Sequence, residues 1–274
     1  MADESPAQQI SKARVLYTVA GMDDVTVQQF PYQSNGDTLT LDVYAPAGRS
    51  SAPLPVVILV TGYSDAGARK MLGCAFNEMG SFVSWARLIA ASGIVAVTYV
   101  NHHPADVRSV IEYVRGYATA LGIDANRLGL WSCSGHAPNA LSLLMKENGV
   151  TPTCGVFCYP YTIDQDGATV IADASTQWGF FNACAGHTVS DLSTSTPIFI
   201  VRAGQDEMPG LNATLDLFVA AALAGNLPVT VVNHAAAPHA FDLFYDGSET
   251  RAIVEATLRW MQRHLAVPAA ADQP

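Results

Sequence analysis

Basic residues are scarce in this 274-residue chain: 14 Lys and Arg stand against 24 Asp and Glu, a formal net charge of −10. A nucleic-acid surface needs clustered cations to neutralise phosphates, so this balance excludes that class of partner and leaves the acidic surface as a source of solubility. Apolar runs are short, and none approaches the length of a membrane span. The N-terminus, Met1-Ala2-Asp3-Glu4-Ser5-Pro6, lacks the basic and apolar regions of a secretory leader, which makes a cytoplasmic location the expectation. Cysteine is sparse too: five, an odd number without paired-ligand spacing, fit reduced thiols rather than a disulfide framework or a zinc site, so no metal is expected. Internal repeats and low-complexity linkers are missing. What remains is a chain half hydrophobic, enough to bury one large core.

The pattern along the chain is α/β. A polar arm over residues 1–23 precedes a single expected domain over 24–265, and a tail over 266–274 is expected to be disordered. Val25-Thr26-Val27 and Thr38 to Tyr44 alternate with strand periodicity around the turn Ser34-Asn35-Gly36-Asp37, which predicts an antiparallel hairpin. Pro55 to Val60 is continuously apolar, as a strand covered on both faces requires; Ile94 to Tyr99 reads as a strand, and the apolar segments Cys154 to Tyr159 and Pro197 to Val201 read as central strands. Helices are predicted over Ser81 to Ala91, from Pro104 to Leu121 with Gly122 as the stop, around Leu215 to Ala222, and from Ser248 to Leu265 with Ile253, Ala256, Trp260 and Leu265 inward. Residues 160–196 have a weak pattern and hold Trp178, Phe180 and Phe181. They read either as a small cap over a pocket or as a surface excursion anchored by its aromatics. Strands alternating with helices imply a mostly parallel sheet of about eight strands, opened by the antiparallel pair.

The stretch Leu128 to His136 reads as a strand, a tight turn centred on Ser134, and a helix running to about Asn148 with Gly149 as its stop. Pro138 is tolerable only in the first turn of that helix, which places the helix start close to Ser134. Taken alone, the stretch fits an ordinary loop as well as a nucleophile turn. Partners for a serine nucleophile fall at other strand ends: Asp206 after Val201, and His239 in the loop after Val232, with His234 between. Functional residues of such sheets gather at the carboxyl ends of the strands. A serine hydroxyl needs a histidine to take its proton, and the histidine needs a carboxylate to fix its tautomer. Glu207 and Asp242 are the alternative acids. Cys133 is the alternative nucleophile, although Trp131 would then stand where a tight turn wants a small residue.

The order Ser, acid, His, with Val60-Thr61-Gly62-Tyr63, Ala203-Gly204-Gln205-Asp206 and Pro238-His239-Ala240-Phe241, resembles the α/β hydrolases, and is similar to their dienelactone-hydrolase and carboxylesterase branch, from Asp24 to about Leu265. The resemblance implies Ser134 as nucleophile, His239 as base, Asp206 as acid, and the backbone N–H groups of Tyr63 and Gly135 as oxyanion donors. It implies no cofactor, and a small-molecule ester as substrate, short-chain or cyclic. A lactonase, thioesterase, peptidase or acyltransferase would use the same residues, and a catalytically impaired binding protein is the alternative outside enzymes. The pocket is expected around Gly62, Cys133, His136, Trp178 and Phe241. The sequence departs from the usual Gly-x-Ser-x-Gly at both ends, with Ser132 in the first position and the bulky His136 in the last. Neither a monomer nor a homodimer is favoured.

Overall fold

The computed structural model describes residues 6–48 and 52–266; the predicted disorder of the tail falls almost wholly outside the described residues. The arm is structured where described. A short helix, α1 (Pro6–Lys12), leads into a segment whose Val15 N–H donates to Ser84 Oγ and whose Leu16 N–H donates to the Asp242 carbonyl.

The hairpin forms from β1 (Thr26–Ser34) and β2 (Asp37–Ala45), so its first strand is longer than its alternation suggested. Asn35 (φ 50°) and Gly36 (φ 90°) both take left-handed backbone, the requirement of a two-residue turn whose twist matches the strands. Next come β3 (Leu54–Leu59), α2 (Asp65–Leu72), α3 (Gly80–Ala91), β4 (Val95–Tyr99), α4 (Val107–Gly116), α5 (Ala118–Leu121) and β5 (Ile123–Cys133). The chain continues through α6 (Ala137–Ser142), β6 (Cys154–Cys158), α7 (Val170–Trp178), β7 (Ile198–Ala203), α8 (Leu211–Ala224), β8 (Val229–His234), α9 (Phe241–Phe244) and α10 (Ser248–Leu265). The eight strands lie in the order β1-β2-β4-β3-β5-β6-β7-β8, with β1 and β2 antiparallel and β3 to β8 mutually parallel. Along β3 and just beyond it, Val56, Ile58 and Val60 enter one core with α4, α6 and α8, while Val57 and Leu59 enter the other with α3 and α10. Burial on both faces is why the strand is apolar without alternation.

Several elements differ from expectation. The helix after Ser134 ends at Ser142 rather than near Asn148, because the Asn148 side chain donates to the carbonyls of Ser142 and Met145 and the Lys146 N–H turns to Asp191 O. The single helix expected from Pro104 to Leu121 is interrupted at Tyr117 (φ −110°, ψ 14°), next to the poor helix former Gly116. His234 closes β8 instead of lying in a loop, since it pairs with Ala203. On α10, Ala256 points outward; the buried stripe is Ile253, Val254, Leu258, Met261 and Leu265, and Trp260 packs against Phe199 from its edge. Helix α2 had a legible signature, with Ser64 capping Gly67 N–H and Gly73 ending it at φ 81°.

Candidate active site

Strands β5, β7 and β8 end at the same edge of the sheet, and their following loops converge there. At the end of β5 the backbone reverses in one residue. Cys133 is still extended (φ −144°), Ser134 is left-handed (φ 49°), and a 3-10 turn over Ser134–His136 runs into α6. A non-glycine residue at such a φ is uncommon and strained, and here the strain lifts the hydroxyl off the sheet edge. The Ser134 carbonyl accepts the Tyr161 N–H, which ties the turn to the loop after β6.

Ser134 Oγ lies 2.9 Å from His239 Nε2, and His239 Nδ1 lies 2.6 Å from Asp206 Oδ2. The other Asp206 oxygen accepts the Met208 N–H at 2.9 Å, which orients the carboxylate. The Asp206 side chain is fully buried and that of His239 is 25% exposed, so the ring keeps access to solvent while the carboxylate does not. Close backbone approach brings the two loops together: a Cβ on Gly204 would stand 2.4 Å from the Ala235 carbonyl oxygen, and Gln205 N–H donates to Ala237 O. The edge of the His239 ring also meets the Tyr159 ring, at 4.8 Å between centroids.

The loop after β3 is held from several sides. Thr61 N–H donates to Tyr99 Oη, and Thr61 O accepts Asn139 Nδ2. Gly62 O accepts the Phe181 N–H, and Asn101 Nδ2 donates to Thr61 Oγ1 and Tyr63 O. The Gly62 N–H donates to His136 Nδ1 at 2.8 Å. Gly62 has no room for a side chain, since a Cβ there would meet Gly135 O at 2.4 Å and His136 Cα at 2.7 Å. Among the described residues, neither Tyr63 N–H nor Gly135 N–H has a protein acceptor.

No protein-family model and no curated protein sequence matches the chain. Solved structures do. A thermostable esterase from Pseudomonas putida superposes with a TM-score of 0.71 at 16% identity over 97% of this chain and 93% of that one. An esterase from Rhizomucor miehei gives 0.68 at 18% identity over 88% and 84% of the chains, and the esterase LipW from Mycobacterium marinum gives 0.65 at 15% over 96% of each. The fold is that of an α/β hydrolase.

Within this α/β-hydrolase fold the remaining candidates separate clearly. Cys133 is half-buried beside the turn, and burial followed by the nearby Asp242 carboxylate pushes its thiol well up, so it stays protonated. Glu207 is exposed. Asp242 is buried in α9, where it accepts Trp85 Nε1 and Tyr159 Oη, both at 2.8 Å, rather than the His239 ring. Its burial pushes the carboxyl up against the pull of those two donors. His234 is buried beneath α9 with its Nε2 3.1 Å from Thr250 Oγ1.

The expected pocket needs correction at two positions. Trp178 ends α7 43% exposed, because Gly179 at φ 77° reverses the chain. Phe180 turns inward instead, only 4% exposed, with its ring 2.8 Å from where a Gly135 Cβ would stand. Phe241 is a core residue packed between Tyr159 and His234. The walls near Ser134 come from Tyr63, Tyr161 and Phe180, and Tyr161 was not singled out in the sequence although it lies just past the carboxyl end of β6. Among the described residues, no three His, Cys, Asp or Glu side chains converge as a metal-ligand set, and no helix is long and apolar enough to cross a membrane.

Proposed function

We propose that the protein is a serine hydrolase of carboxylic esters that works through an acyl-enzyme on Ser134. The observation that carries this reading is the continuous hydrogen-bonded line from Ser134 through His239 to buried Asp206, with the serine on a left-handed turn at the carboxyl edge of the sheet. The solved structures of the same fold, which are esterases, support the substrate class.

In this mechanism Asp206 holds His239 with its proton on Nδ1, so Nε2 is free to accept the Ser134 proton as Oγ attacks the ester carbonyl carbon. The carbonyl oxygen becomes an anion received by the N–H groups of Gly135 and Tyr63, whose placement before reaction is what lowers the barrier. The tetrahedral intermediate collapses, the alcohol leaves with the proton from His239, and a water activated by the same ring hydrolyses the acyl-serine. Small acyl groups fit best, because Tyr63, Tyr161 and Phe180 crowd the face of Ser134 and Gly135. A cysteine nucleophile has no support from the half-buried Cys133 thiol, whose pKa is raised.

Ser134→Ala is expected to retain its fold, lose labelling by a fluorophosphonate, and lower kcat on p-nitrophenyl acetate by about a millionfold. Unlabelled wild-type protein, or a Ser134→Ala variant that still turns over the ester, overturns the assignment.

A further inference from the structure

His136 stands where the elbow motif has no side chain, yet the fold has built a compartment for it. Its ring is only 6% exposed and meets three aromatic rings edge-on or tilted: Phe76 at 4.5 Å, Tyr63 at 5.0 Å and Phe82 at 5.2 Å between centroids. Inside this apolar box the ring makes one directed polar contact among the described residues, with the Gly62 N–H 2.8 Å from Nδ1. A backbone N–H can only donate, so Nδ1 carries no proton and the neutral ring holds its proton on Nε2.

The bond matters because of what it does to the loop. Thr61 N–H is taken by Tyr99 Oη and Gly62 N–H by His136, which leaves Tyr63 N–H, the next donor along the loop, without a protein acceptor among the described residues, as is Ser64 N–H at the cap of α2. The same bond joins the loop to the turn that carries Gly135 N–H, so the Tyr63 and Gly135 donors sit on one clamped unit. Gly62, with no space for a Cβ against Gly135 and His136, is the complementary half of that clamp.

We propose that His136 is a positioning residue of the proposed hydrolytic site: as the Nε2–H tautomer it takes the Gly62 N–H and thereby presents the Tyr63 and Gly135 N–H groups as the pair that receives the oxyanion. The inference rests on the ester-hydrolase reading for its kinetic consequence, but not for the bond itself. An acceptor at Nδ1 is the needed feature, and an asparagine Oδ1 occupies nearly the same place on a shorter side chain, whereas leucine keeps bulk without an acceptor.

The test combines nitrogen-15 NMR of the full chain with two variants. The His136 resonances, assigned by their loss in His136→Asn, should show the neutral Nε2–H tautomer throughout about pH 8 to 5. A proton on Nδ1, or titration within that range, overturns the proposal whatever the protein hydrolyses. In kinetics, His136→Leu should lower kcat by roughly 10- to 100-fold with KM little changed, and His136→Asn should recover most of that loss. An unaltered kcat in His136→Leu, or equal losses in both variants, also overturns it. If wild-type protein neither turns over esters nor takes a fluorophosphonate, the hydrolase reading falls while the NMR result still decides the bond.

Discussion

Ser132, Cys133 and Ser134 are near neighbours of similar size, and one dihedral separates their roles. Only Ser134 takes φ 49°, so only its side chain leaves the pleat to reach His239, while Ser132 is fully buried in β5 and Cys133 is still extended. Asp242 shows the opposite case at the same scale, a carboxylate close to the site whose partners are structural. It satisfies two buried donors, Trp85 Nε1 and Tyr159 Oη, and the Tyr159 ring in turn backs His239. Asp242→Ala should therefore orphan both donors and destabilise the protein by about 2–4 kcal/mol in urea unfolding. A change within the error of the extrapolation would show that the network is dispensable.

At the scale of elements, the 160–196 excursion reaches the candidate site through its aromatics. Helix α7 packs its Ile171 and Ala174 under the loop, and after Gly179 the chain delivers Phe180 to the site and the Phe181 N–H to Gly62 O. Phe180 stacks on Tyr161 at 5.2 Å and fills the space over Gly135, which in the proposed esterase makes it the element's contribution to acyl size. Phe180→Ala is expected to raise the ratio of kcat/KM for p-nitrophenyl octanoate over acetate by roughly tenfold, the order that a few methylene contacts can supply. An unchanged ratio would place the acyl-size limit elsewhere. The short α6 belongs to this scale as well: the Asn148 side chain and the backbone bond from Lys146 N–H to Asp191 O end it at Ser142, and neither competing bond was legible behind the stop expected at Gly149.

At the scale of the whole molecule, burial of His136 couples the site to acid stability. Desolvation lowers its pKa from the ordinary 6.5 to about 3. Between those values the unfolded chain binds a proton that the folded chain refuses, so the stabilisation is complete above about pH 6.5 and is lost as the pH falls toward 3. Wild-type protein should thus lose about 3 kcal/mol more than His136→Asn between pH 7 and pH 4, read from denaturant unfolding at each pH. Parallel losses in the two proteins would mean that the ring is hydrated in the native state.

The amino-acid sequence was enough to reveal the parallel sheet, through apolar runs in β3, β6 and β7 that fit burial on both faces, and the strand-end positions of Ser134, Asp206 and His239. These are local signals, and runs and turn residues carry them within a few positions. Tertiary structure alone decided the rest, because it depends on residues distant in the chain. The left-handed turn singled out Ser134, Gly179 exchanged Trp178 for Phe180, and the cavity formed by Tyr63, Phe76 and Phe82 made room for His136. A bulky residue in a glycine position reads as damage in one dimension. In three, its Nδ1 completes the loop that holds Gly62.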